Sequence, residues 1–261
     1  MDDPGMTRIA ILHPGQMGAA VGRALVDAGH DVGWLPAGRG PGTRRRAVEA
    51  GLRDLPDLDG QDVVLSVCPP AAALDTARAV AGFRGVYVDA NAISPGTAGD
   101  VARVVRAGGG TYVDGGIVGP PPERAGSTRL YLSGQRATAI AEDFRGTRVE
   151  AVVLDGRDAS ASALKMTYAA WTKITAALLV SVRNAARELD VEQALMAEWA
   201  RSQPELPQRW AAALDAAQRK GWRWAEEMRQ IAGTLADSGE PAGFADAAAE
   251  QFSRWPRPVD D

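Results

Sequence analysis

Arg8-Ile9-Ala10-Ile11-Leu12-His13-Pro14-Gly15-Gln16-Met17-Gly18-Ala19-Ala20-Val21-Gly22 is the stretch that decides the fold. A short apolar run rich in β-branched residues turns at Pro14-Gly15 and passes into an alanine-rich segment suited to a helix. Gly15 and Gly18 fall where a strand hands over to a helix. There the backbone has to approach a ligand closely, and a helix N-terminus offers free N–H groups to a pyrophosphate. The pattern matches a dinucleotide fingerprint with one element changed, because His13 stands where G-x-G-x-x-G has its first glycine. The candidate cofactor residues of this turn are His13, Gly15, Gln16, Met17 and Gly18. An ordinary structural turn is the competing reading. For His13, contact with a cofactor phosphate and simple filling of the missing glycine's space both stay open.

Outward from this turn, apolar strand patterns alternate with helical ones. The predicted strands are 8–13, 31–35, 62–67, 86–91, 111–115, 129–133 and 149–154; the predicted helices between them are 17–28, 43–50, 71–81, 95–107 and 137–144. Such alternation implies a mostly parallel sheet covered on both faces, becoming mixed after residue 111. From Asp158 strand signals vanish. Residues 159–189 hold neither Gly nor Pro and predict one long helix, with Asp158 placed to cap it. Helices over 191–202, 206–220, 223–238 and 244–255 follow, and 256–261 are expected to fray. The predicted architecture is α/β: a Rossmann-type dinucleotide-binding domain over 1–157, then an all-α domain over 158–261 for substrate binding and dimerisation. Six of the seven tryptophans lie in the second part, where helix packing is their expected role.

Composition narrows the chemistry. Of 261 residues 46% are apolar and 24% charged, values of an ordinary globular protein, and the net charge of −4 argues against nucleic acid or an anionic membrane as partner. One cysteine and two histidines leave no disulfide framework and argue against a metal site. No apolar stretch is long enough to span a bilayer, and the acidic start lacks the apolar core of a signal peptide, so a cytoplasmic location is expected. Of 29 basic residues only Lys165, Lys173 and Lys220 are lysines. Compositional drift alone would leave a few; a sharper reading is that some persist because lysine can lose its proton and arginine cannot.

The choice between NAD and NADP is read after the second strand. NAD binders usually place a carboxylate there for the ribose hydroxyls. Residues 34–46 contain none, but include Arg39, Arg44, Arg45 and Arg46. Guanidinium groups suit a 2′-phosphate, so NADP is expected over NAD, with Arg39 the best single candidate. A solvated basic helix start is the plainer alternative.

Four segments in order and spacing resemble the 6-phosphogluconate dehydrogenase / β-hydroxyacid dehydrogenase superfamily, nearest its small 6-phosphogluconate-dehydrogenase-like subgroup with a distinctive helical C-terminal domain. Gly15-Gln16-Met17-Gly18 is similar to the family's G-x-M-G turn. Val88-Asp89-Ala90-Asn91-Ala92-Ile93-Ser94-Pro95 resembles its D-x-S-T-x-x-P segment, with Asn91 where serine is usual. Val113-Asp114-Gly115-Gly116-Ile117-Val118-Gly119-Pro120 resembles its D-A-P-V-S-G-G segment, with Val118 in place of serine. Ala161-Ser162-Ala163-Leu164-Lys165 falls where the family has G-x-x-x-K-x-x-x-N, and Ala169 stands at the asparagine.

The resemblance implies an NAD(P)-dependent dehydrogenase or reductase acting on a small-molecule substrate, with Lys165 as general acid/base, and a homodimer formed through the helical domain. It places Asn91, Ile117, Val118, Gly119, Tyr168, Ala169 and Thr172 near substrate, with the usual acid-binding set partly rewritten. Cys68 and Pro69, in a stiff Cys68-Pro69-Pro70 loop, are expected beside the cofactor, Cys68 as a packing residue rather than a nucleophile. Asn91 serves the nicotinamide ribose, the substrate or only the next turn. Lys173 either helps hold an anion or ends a packed face, and Lys220 reads as a helix C-terminal charge. An imine reductase on the same architecture and a non-catalytic NADP sensor are the alternatives; Tyr168 favours the former, and Lys165 argues against both.

Overall fold

A computed structural model of the chain describes residues 5–255; 256–261, expected to fray, lie outside them. The strands are β1 (Arg8–Ile11), β2 (Asp31–Trp34), β3 (Arg53–Asp54), β4 (Val63–Ser66), β5 (Val86–Asp89), β6 (Thr111–Val118), β7 (Thr128–Ser133) and β8 (Val149–Val153). The helices are α1 (Gln16–Asp27), α2 (Pro41–Glu49), α3 (Ala73–Ala79), α4 (Pro95–Ala107), α5 (Ala137–Asp143), α6 (Ser160–Glu188), α7 (Glu192–Ser202), α8 (Leu206–Asp237) and α9 (Gly243–Ser253). The chain forms two units, Met1–Lys165 and Met166–Asp261.

In the first unit one eight-stranded sheet runs β3-β2-β1-β4-β5-β6-β7-β8, parallel except where β6 meets β7. The period-two alternation of strand side chains splits its core in two. Ile9, Ile11, Leu65, Val88 and Val113 point to one face with α1, while Ala10, Val64, Tyr87 and Tyr112 point to the other with α3 and α4. The order reverses between β1 and β4, so the loops leaving these strands open a crevice at the carboxyl edge, where ligands bind in doubly wound sheets. The mixed region expected after residue 111 is the antiparallel β6–β7 pair, which runs on through Gly115 and Gly116 to Val118. The short β3 was not anticipated: Arg53 and Asp54 are exposed and polar and pair only with β2 at the sheet edge.

Among the described residues of the second unit, every regular element is a helix. A single α8 replaces the two helices expected over 206–238, because Gly221 does not break it. Gly221 is buried, and a Cβ there would lie 3.3 Å from Trp255, so the glycine serves close packing. Tryptophans pack as expected: Trp224 meets Phe252 edge-on at 5.0 Å, and Arg183 lies 3.5 Å over Trp210 while bonding Glu192.

Candidate functional site

The turn between β1 and α1 assigns different work to its two glycines. A Cβ at Gly18 would stand 2.4 Å from the His13 carbonyl oxygen, so Gly18 is required by the chain's own packing. Gly15 has an ordinary φ of −69° and nothing within 4 Å of a Cβ. Its lack of a side chain leaves open space in front of α1. That helix has no side-chain cap and no acidic residue in its first turn, so its N-terminal amides are available to an anion. Gln16 is exposed, and Met17 packs against the β1 core.

His13 borders this space. Its Nδ1 is buried without a hydrogen-bond partner, and burial, then the nearby Arg39 charge, lowers its pKa to about 4. The imidazole is therefore neutral at pH 7, with an unused polar atom. His13 lines a groove of about 560 Å³ together with Leu12, Leu35, Arg39, Pro69 and Thr76, within the size range of small-molecule sites. Three of the four arginines after β2 are engaged elsewhere. Arg44 pairs with Asp54 and lies over Trp34, Arg45 faces Glu49, and Arg46 bonds the Pro14 carbonyl. Arg39 is exposed and has no ion-pair partner among the described residues. An unpaired guanidinium, an orphaned imidazole nitrogen and an uncapped helix together fit a phosphorylated dinucleotide.

At the ends of β4 and β5, Asn91 is buried and committed to the fold. Its Oδ1 accepts from the Cys68 N–H at 2.6 Å, its Nδ2 donates to Ser66 Oγ at 3.1 Å, and its own N–H donates to Asp89. Asn91 thus ties the two strand ends together. The Cys68 thiol takes contacts from Ser66 and Thr76, and burial raises its pKa, in keeping with a packing role. Asp89 is fully buried with one oxygen unpartnered, and burial first, then Asp114, contributes to a pKa raised to about 7.

Lys165 lies on the first turns of α6. It has no hydrogen-bond or ion-pair partner among the described residues, and its backbone is pressed against β6: a Cβ at Gly116 would lie 3.0 Å from Lys165 Cβ. The helix start is not capped by Asp158, which pairs with Arg106 of α4. The capping carboxylate is Asp114 of β6, which accepts from the Ser162 N–H at 2.9 Å. The strand register sets Ser66, Asp89 and Asp114 level with one another, so Lys165 emerges at the carboxyl edge that also carries the β1–α1 turn. A carboxylate followed by two glycines inside an otherwise apolar strand was the sequence signal for this cap.

Of the residues expected near substrate, Ile117 belongs to the sheet core, Val118 is buried, and Gly119 is fixed by the fold. Gly119 holds φ +116°, and a Cβ there would meet the Ser127 carbonyl at 2.2 Å. Beyond Lys165, α6 lies in the second unit. There Ala169 is buried, Tyr168 is exposed, and Thr172 Oγ bonds back to the Tyr168 and Ala169 carbonyls. Lys173 pairs with Glu227 and lies 5.6 Å over the Trp224 ring, both charged groups being mostly buried. Lys173 is thus engaged within the helical unit.

A family model described as Domain of unknown function (DUF1932) matches residues 186–255. No curated protein matches the chain. Among solved structures, conserved protein MTH1747 of unknown function, described as similar to 3-hydroxyacid dehydrogenases, is 25% identical over 95% of this chain and 96% of that one, with a TM-score of 0.74. A conserved hypothetical protein from Sinorhizobium meliloti is 27% identical over 95% and 88%, TM-score 0.72. The 3-hydroxyisobutyrate dehydrogenase of Mycobacterium tuberculosis, in a structure with L-serine, shares the fold at 19% identity over 95% and 93%, TM-score 0.72. The first and third of these are described as similar to, or as, hydroxyacid dehydrogenases, the group that the four sequence segments resemble.

Proposed function

We propose that this chain, whose structural neighbours are hydroxyacid-dehydrogenase-like proteins, is an NADP-dependent oxidoreductase. It moves hydride between nicotinamide and a small hydroxy or carbonyl substrate, with Lys165 as general acid/base. The observation that carries the reading is the unpartnered Lys165 at the carboxyl edge that also holds Gly15, His13 and Arg39. In this reading the α1 N-terminus receives the pyrophosphate, Arg39 the 2′-phosphate, and His13 Nδ1 a further polar atom of the dinucleotide. A bound nicotinamide would supply the hydride chemistry, exchanging hydride with the alcohol or carbonyl carbon of the substrate. The Lys165 amine takes the hydroxyl proton as the carbonyl forms, and its ammonium returns that proton in the reverse direction.

A dimer formed through the helical unit belongs to the same proposal. Tyr168, Trp171, Leu178, Val182 and Leu189 are exposed on α6 at spacings of three, four or seven residues. That is an apolar seam of the kind by which a second copy buries a helix face.

The test is a screen of hydroxy acids, aldehydes, ketones and cyclic imines, followed by the absorbance of the reduced nicotinamide with NADP(H) and NAD(H). Turnover of hydroxy acids or carbonyls with NADP(H) is expected. Turnover of imines alone would make the protein an imine reductase, and tight NADP binding without any turnover would make it a sensor.

A further inference from the structure

Asp114 has no part in the proton transfer, yet it is among the most heavily bonded side chains of the first unit. It is buried, and its Oδ1 accepts from Ser162 Oγ at 2.5 Å. Its Oδ2 accepts from the Ser162 N–H at 2.9 Å and from Ser133 Oγ at 3.0 Å, and Ser133 Oγ accepts in turn from the Ala161 N–H at 3.1 Å. Two of the first amides of α6, which have no partner inside the helix, therefore end on side chains of β6 and β7. Burial pushes the Asp114 pKa up, and the hydrogen bonds from Ser162 and Ser133 pull it back only in part.

The ordinary way to cap such a helix is with a residue just before it. Here Asp158 is turned away to Arg106, and the cap comes from a strand 48 residues earlier in the chain. Lys165 follows Ser162 by three residues, so the clamp and the lysine share one face of the helix. That face lies against Gly116, two residues after Asp114: a Cβ there would stand 2.7 Å from the Ala161 carbonyl oxygen and 3.0 Å from Lys165 Cβ. Immediately before the helix, Ala159 holds φ 71°, a left-handed conformation that alanine adopts only where its surroundings impose it. Clamp, close approach and strained turn all fix one thing, the position of the first two turns of α6 on the sheet.

We propose that Asp114 and Gly116 are positioning residues for Lys165. Asp114 clamps the start of α6 to the strand, and Gly116 omits the side chain that would lift the lysine away from the carboxyl edge. The inference rests on reading Lys165 as the proton-transfer group, and its test is built to separate the two. With only three lysines, reductive methylation with carbon-13 formaldehyde gives a sparse spectrum, and Lys165→Arg identifies the Lys165 signal without any substrate. Asp114→Asn and Gly116→Ala are each expected to shift that signal and leave those of Lys173 and Lys220 in place. Both variants slow hydride transfer from the best substrate of the screen by about 100-fold, the usual cost of a misplacement near 1 Å, with NADPH affinity unchanged. Ser162→Ala, which deletes one bond of the clamp, gives a smaller loss in the same direction; it carries the test with Gly116→Ala if Asp114→Asn does not fold. An unmoved Lys165 signal with full activity in Gly116→Ala overturns the proposal, as does a loss confined to cofactor binding. If Lys165→Ala keeps full turnover while the signal still moves in Gly116→Ala, the proton-transfer reading fails and the clamp stands.

Discussion

Replacing Arg39 by alanine separates the two nicotinamide dinucleotides. Arg39 makes no ion pair among the described residues, so its removal breaks no contact of the fold, unlike removal of Arg44 from Asp54 or of Arg46 from the Pro14 carbonyl. Any loss of binding is then a loss of contact with ligand. A net hydrogen bond to a charged group contributes about 1.5–3 kcal/mol. Arg39 is exposed, so the lower end applies to a single contact and roughly 3 kcal/mol to a bidentate one. At about 1.4 kcal/mol per decade, the NADPH Kd rises roughly 10- to 100-fold. NADH, without the 2′-phosphate, binds as before. Removing Arg39 also removes the smaller of the two causes that hold His13 down; burial remains, so His13 stays neutral at pH 7 in the variant. The assay is titration of both reduced cofactors against tryptophan fluorescence at several salt concentrations, since an exposed phosphate contact weakens with ionic strength. Equal losses for NADPH and NADH, or none for either, would refute the assignment of Arg39 to the 2′-phosphate.

Three further outcomes rest on the same fold. Gly15→Ala meets open space and changes stability by less than about 0.5 kcal/mol in urea melts, because the gain from a less flexible unfolded chain is offset by alanine's poor fit at the N-cap of α1, while weakening NADPH; Gly18→Ala, forced onto the His13 carbonyl, costs about 3 kcal/mol. Asp89 has its folded pKa raised from 3.8 to about 7, so the folded state holds a proton that the unfolded state has lost; stability falls as pH rises from about 4 to 7, by something on the order of 4 kcal/mol, and Asp89→Asn reduces that slope in pH-dependent denaturation, leaving the part due to Asp114, which burial also raises. Leu178→Glu with Val182→Glu places charge in the exposed seam of α6 and turns the proposed dimer into a monomer in light scattering, whereas an unchanged dimer mass would move the interface elsewhere.

Much of the fold was legible because its signals are local. Strands such as 8–13 and 31–35 read correctly to within two residues, since continuous apolar runs mark strands buried on both faces. What escaped depends on partners distant in sequence. β3 is a two-residue edge strand without an apolar run. Gly221 looks like a helix end until Trp255 is seen packed against it. At the site, Gly15, Gly18 and Arg39 carried their meaning in position and residue type. Asn91 reads from the sequence as a ligand residue or a turn residue, and the fold commits its amide to Cys68 and Ser66. Asp114 passed as part of a motif because its partners, Ser133 and Ser162, lie 19 and 48 residues away. Asp158 sits where a cap is expected, and its carboxylate pairs with the Arg106 guanidinium instead.

The central claim is that Lys165 moves the proton while the sheet edge holds the cofactor. Single-turnover hydride transfer by Lys165→Ala, with NADPH affinity measured on the same sample, tests it most directly. The account predicts a rate lower by about 10²- to 10⁴-fold, the usual contribution of a positioned acid/base group, with NADPH bound as tightly as before. An unchanged rate of hydride transfer would contradict it.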